Sequence, residues 1–180
     1  SRYPIDADAV VDLSGLLWKD VPGAQLPVVK GRPFPSAQAQ AVQRLSSTGH
    51  WIVPIDLPDG RAHVLMFQAG PPVFDGPEDR NGLRNHDEIR LWRVVMDQQL
   101  GPAPTQRFVI AGGANLDPHD SDGRSEAIRA LLSDPRLQDP EPHSAGATQT
   151  ADQGHITPNA LDCHQCRRVL ALCRDRRRWP

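Results

Sequence analysis

At 180 residues the chain is long enough to bury a core and too short for a second domain of similar size, and 38% apolar residues with 14 glycines exclude a wholly disordered polymer. A formal net charge of −2 argues against a strongly basic protein that coats nucleic acid, and no apolar run is long enough to cross a membrane or reads as the core of a secretory signal. The 18 prolines, about twice the usual share, predict short helices and long connections.

In chain order, Val10 to Trp18 is apolar without a clear period, and Pro22 to Pro35 reads as an irregular connection. Ser36 is placed to cap a helix over Ala37 to Leu45. Trp51, Val53, Ile55 and Leu57 alternate with Ile52, Pro54 and Asp56 as a strand, which Pro54 puts near a sheet edge or bulge because proline donates no hydrogen bond. Asp59-Gly60 predicts a hairpin to a second strand, His63 to Ala69, stopped by Gly70-Pro71-Pro72. Residues 73–84 read as a polar loop. Asn85-x-x-Glu88 matches a capping box, predicting a helix whose Ile89, Trp92, Val95, Met96 and Leu100 recur at helical spacing and whose end is marked by Gly101 and Pro102. Trp92 is therefore read as core, and His86 and Asp87, in the first helical turn, as solvated or capping.

The next stretch, Arg107 to Arg124, joins a strand to a polar turn and a helix start. Phe108 to Ala111 is a short apolar run that Gly112-Gly113 breaks, and Asn115, Asp117, Asp120 and Asp122 follow before Glu126 to Leu132, which sets Ile128, Leu131 and Leu132 on one face. Side chains at the carboxyl end of a strand are held by a rigid scaffold and face solvent or ligand. The plainer reading is that Asp120 or Asp122 caps the helix and Asn115 satisfies its own loop. A calcium loop over Asp120-Ser121-Asp122-Gly123 fails in register, since its first and twelfth positions would be Pro118 and Arg129.

Ala111-Gly112-Gly113-Ala114-Asn115-Leu116-Asp117-Pro118, with Leu45 to Ile55 and Met66 to Pro72 upstream, resembles in order and kind the endonuclease/exonuclease/phosphatase superfamily, which includes pancreatic-type deoxyribonucleases. The resemblance covers roughly residues 1 to 150 and implies an α+β fold, part of a four-layer α/β/β/α sandwich of mainly antiparallel sheets. It implies a metal-dependent phosphoesterase using Mg2+ or Mn2+ on a phosphate ester or nucleic acid. Asn115 matches the phosphate-orienting asparagine of the family's Gly-Asp-x-Asn turn, Gly113 stands at that turn's aspartate, and Gln68 stands at the family's catalytic histidine. The opening strands with the metal-binding glutamate and the closing strands with an aspartate-histidine pair have no matches here. The chain is thus read as a truncated, divergent member with impaired hydrolysis, because glycine carries no group for activating water and glutamine cannot shuttle a proton. The alternative is a non-catalytic module that binds phosphate or nucleic acid.

Residues 1–155 are read as the central portion of that domain and 156–180 as a basic, cysteine-containing tail without fixed structure. From Ala160 onward six arginines face two aspartates, a net of +4 that leaves −6 on residues 1–159. Cys163-His164-Gln165-Cys166 forms one zinc-like hook without a second half, and the arginines with Trp179 suit a nucleic-acid contact; the bland reading is a solvated segment. The abrupt change of composition at Asp162 suggests a change of reading frame there.

Overall fold

A computed structural model describes residues 2–118 and 123–140, together with the backbone of 169–173. The strands are β1 (Val11–Asp12), β2 (Val28–Val29), β3 (Arg32–Pro33), β4 (Gly49–Leu57), β5 (Gly60–Gln68), β6 (Phe108–Gly113), β7 (Leu137–Gln138) and β8 (Val169–Cys173), and the helices are α1 (Ala37–Val42), α2 (Arg80–Met96) and α3 (Glu126–Leu132). Six strands form one sheet in the order β1-β4-β5-β6-β8-β7, while β2 and β3 pair separately. Every neighbouring pair is antiparallel except β5–β6, which is parallel and connected through α2. The class is α+β with a mainly antiparallel sheet, as the resemblance implies.

The hairpin forms where the turn residues dictate. Leu57 pairs with Gly60 across the two-residue turn Pro58-Asp59, and Gly60 takes a φ of +123° that a side chain would resist. Beyond the two residues of β1 the outer edge of β4 meets only a single bridge from Ile5, so Pro54 lies where the sheet edge thins. The Ser36 hydroxyl accepts from the Ala39 N–H at 3.1 Å, the expected cap, but α1 ends at Val42 and Leu45 is buried beyond it, its N–H held by the Leu16 carbonyl.

Helix α2 starts five residues before the expected capping box. Residues 80–84 look like loop because they are mostly polar and contain Gly82, yet Asn81 in the first turn is held from outside the helix. The Asp75 carboxylate accepts from the Asn81 N–H, and the Asn81 side chain donates to the Val73 carbonyl at 2.9 Å. Asp79, in the left-handed region at φ +50°, turns the chain into the helix without a side-chain cap. Arginine-rich composition also conceals β8: Val169 to Cys173 is an apolar run inside the stretch expected to lack structure, and its backbone pairs with β6 through Val109↔Leu172 and Ile110↔Ala171. Cys163, His164, Cys166 and Trp179 lie outside the described residues.

One face of the sheet is buried. His50, Ile52, Leu65, Phe67, Phe108 and Ile110 are core, with Ile89, Trp92, Val95 and Met96 of α2 and Ile128 and Leu131 of α3. Trp92 is fully buried, with its ring centroid 5.3 Å from His50 and 5.8 Å, edge on, from Phe67. Residues that alternate with these, Trp51, Val53 and Ala111, are only partly covered, and Met66 is 44% exposed. This is an incompletely covered apolar face. The folded chain should bind a hydrophobic dye, and Met66→Lys should weaken dye fluorescence while changing stability by no more than about 0.5 kcal/mol. A dye signal that persists unchanged in the variant would place the apolar surface elsewhere.

His50 gives the core a pH dependence. Its Nε2 donates to the Glu88 carbonyl at 3.0 Å, which leaves Nδ1 to accept from the Ser46 hydroxyl. Burial pushes its pKa down to about 4 from 6.5. The folded state therefore favours the neutral ring, so its contribution is complete above pH 6.5 and is lost as pH falls towards 4, by about 3 kcal/mol in all. Denaturant titrations between pH 7 and 4 should show this loss in the native chain relative to His50→Gln; parallel profiles would contradict it.

Candidate functional site

Strand polarity gathers three turns at one end of the sheet. Gly49 at the start of β4 pairs with Gln68 at the end of β5, and Gln68 pairs in parallel with Gly113 at the end of β6. Ser46-Ser47, Ala69-Gly70 and Ala114-Asn115 are therefore neighbours. The three residues singled out by the sequence, Gln68, Gly113 and Asn115, meet here. The Ala69 carbonyl accepts from Asn115 Nδ2 at 2.7 Å and from Gln68 Nε2 at 3.2 Å, while the Ala69 N–H donates to the Gly113 carbonyl at 2.9 Å. Asn115 has φ +49°, a left-handed conformation that asparagine tolerates better than most residues.

Gln68 and Gly113 also line an open cavity of about 580 Å³ with Trp51, Met66, Phe67, Ala111 and Gly112. Asn115 is not among the lining residues; its amide is turned towards Ala69. The two glycines do different work. A Cβ on Gly112, at φ +152°, would lie 1.9 Å from the Phe67 carbonyl oxygen, so the close approach of β5 and β6 requires glycine. At Gly113 the added carbon would meet Gln68 Oε1 at 2.3 Å, the far end of a side chain that can swing away.

Beneath the turns lie residues that the sequence reading took as a helix cap or as solvated. Glu88 and Asn85 form no capping box. Both are fully buried in the second and third turns of α2. Glu88 Oε1 accepts from the Ser47 N–H and hydroxyl at 2.5 and 2.6 Å, and Oε2 accepts from the Gly70 N–H at 2.7 Å. Asn85 Nδ2 donates to the Gly70 and Ala114 carbonyls, both at 2.7 Å. Burial pushes the Glu88 carboxyl above its ordinary range, opposed by the Ser47 and Gly70 donors and by the charge of Arg84.

His86 and Asp87 are likewise buried rather than solvated. Asp87 accepts from the Trp18 indole N–H and the Gln25 N–H, each at 2.7 Å, and pairs with Arg90 at 3.0 Å, fastening the segment around residues 18–25 to α2. Burial raises its carboxyl, but contacts from His86, Trp18 and Gln25 outweigh that and hold it below the usual range. A readable signal existed for the first pair: Asn85, Glu88 and Trp92 stand at i, i+3 and i+7, so two polar residues share the stripe of the core tryptophan. Asp117 is buried, and Asp120 and Asp122 lie outside the described residues. Among the described residues no group of three or more His, Cys, Asp or Glu side chains is arranged to hold a metal ion.

Gly112→Ala should destabilise the chain by about 3 kcal/mol or more, because backbone must move, whereas Gly113→Ala should cost about 1 kcal/mol or less. Equal effects in denaturant titrations would show that β5 and β6 tolerate a wider separation.

Two solved structures are similar to the chain. Sphingomyelinase C from Streptomyces griseocarneus is 16% identical, with a TM-score of 0.38, 68% of this chain covered and 47% of that one. The structure of SmcL is 12% identical, with a TM-score of 0.45, 78% of this chain covered and 39% of that one. The chain thus spans less than half the length of either. No curated protein sequence matches it. The model of the Endonuclease/Exonuclease/phosphatase family matches residues 1–169, and the chain belongs to that family.

Proposed function

We propose that the turns after β5 and β6 bind a phosphate ester through side-chain amides and that this chain does not hydrolyse it at a measurable rate. The observation that carries the proposal is the pairing of Gln68 with Gly113 at the strand ends, beside Asn115. A phosphoesterase reaction needs a group to orient or deprotonate water and a group to protonate the leaving oxygen. Gln68 offers a neutral amide and Gly113 offers no side chain. Asn115, on this reading, turns its amide from the Ala69 carbonyl to a phosphate oxygen.

The family is in general dependent on divalent metal. The described residues at this site do not fit such an ion. Their donors are amide and peptide oxygens, whereas Mg2+ binds through one or two carboxylates besides phosphate and water. The Glu88 carboxylate beneath the turns already spends both oxygens on Ser47 and Gly70. The Mg2+ or Mn2+ implied by resemblance therefore has no ligand set among these residues. A phosphate-binding module without turnover, for which nucleic acid is one ligand, is consistent with the same amide donors.

With Mg2+ or Mn2+ present, the chain should release no product above background from p-nitrophenyl phosphate, bis(p-nitrophenyl) phosphate or plasmid DNA. Gly113→Asp combined with Gln68→His should remain far below the turnover of roughly 1–10³ s⁻¹ typical of enzymes. Efficient metal-dependent cleavage by the unmodified chain would overturn the proposal.

A further inference from the structure

We infer that Asn85 and Glu88 are positioning residues for the phosphate-binding turns, setting from within α2 the spacing of Gln68, Gly113 and Asn115. The inference rests on the phosphate-binding reading for its functional meaning, but its geometry is independent of it. The two side chains are three positions apart and so share one helix face. Between them they hold Gly70 by both its peptide groups: Glu88 accepts from the N–H and Asn85 donates to the C=O, each at 2.7 Å. From that fixed point Glu88 reaches back to Ser47, before β4, and Asn85 reaches across to the Ala114 carbonyl, after β6.

Two of the anchored residues, Gly70 and Ala114, lie within two positions of a site residue. Gly70 follows Ala69, whose carbonyl holds the amides of both Gln68 and Asn115, and Ala114 lies between Gly113 and Asn115. A one-residue link leaves little slack, so a shift at Asn85 is transmitted to the Asn115 amide. Gly70 belongs to the same device, since a Cβ there would stand 3.2 Å from Ser47 Oγ and 3.6 Å from Glu88 Oε2.

The arrangement is a poor way to achieve stability alone. Asn85 Oδ1 is buried and has no hydrogen-bond partner among the described residues, and Glu88 is a buried carboxylate. Apolar side chains of similar volume often hold a core as well as such groups do, without the desolvation cost. What they cannot do is fix the direction of four separate peptide groups.

The test uses the full chain and inorganic phosphate, read through the side-chain amide resonances of Asn115 and Gln68. Asn85→Ala should displace both resonances in the free protein and weaken phosphate binding about tenfold, in line with the loss of supporting contacts behind a binding site. Ile128→Val, a core change in α3, serves as the control and should leave resonances and affinity unchanged. If Asn85→Ala does not fold, Glu88→Gln, which sets an amide against the Gly70 N–H, should give the same displacement. Asn115 and Gln68 resonances that stay in place in the folded variant, or that move equally in the control, would overturn the inference. A native spectrum indifferent to phosphate, with the resonances still displaced by Asn85→Ala, would overturn the phosphate reading and support the positioning role.

Discussion

The Glu88 carboxylate is the constraint around which this end of the molecule is arranged. A buried carboxylate is tolerated only where its oxygens are satisfied, and here the donors come from two turns that are remote in sequence, Ser47 and Gly70. The same residue's backbone carbonyl takes the His50 Nε2 proton, so one helical position ties the start of β4 and the end of β5 to α2. Removing the side chain would free the half-buried Gly70 N–H and release the exposed Ser47 from α2.

Around that anchor the sheet brings the ends of β5 and β6 together. The parallel pairing of β5 and β6 brings Gln68 against Gly113, and Gly112 lets the two strands approach closely. The Asn115 amide is held by the Ala69 carbonyl just after β5. Binding asks for donors and shape, whereas phosphoryl chemistry also asks for charge and proton transfer.

Local signals made much of the architecture legible. The Asp59-Gly60 turn, the alternation from Trp51 to Leu57, the Ser36 cap and the Ile89–Trp92–Met96 stripe each report a short-range preference, and each corresponds to an element of the structure. Gln68, Gly113 and Asn115 were singled out because their order resembles a family pattern, and strand register brings them together. What escaped depended on partners far along the chain. Arg80 to Arg84 is helical because Asp75 and Val73 serve its first turn, and Asn85 and Glu88 look like a cap until Ser47, Gly70 and Ala114 are placed around them. Asp87 is polar and adjacent to both, and only its bonds to Trp18 and Gln25 explain its burial.

The mixed polarity of the sheet has a kinetic consequence. Leu57 and Gly60 are three positions apart, so the β4–β5 hairpin can close locally, whereas His63 and Phe108 are 45 positions apart and cannot pair until the intervening chain has compacted. Loop-closure entropy makes such long-range pairings late events, and nucleation proceeds through the contacts with the smallest sequence separation. Ser47 and Gly70 flank the hairpin, while Ala114 arrives with β6. The transition state for folding is therefore expected to contain the hairpin and α2 in near-native association, with the strand that carries Asn115 joining on its downhill side.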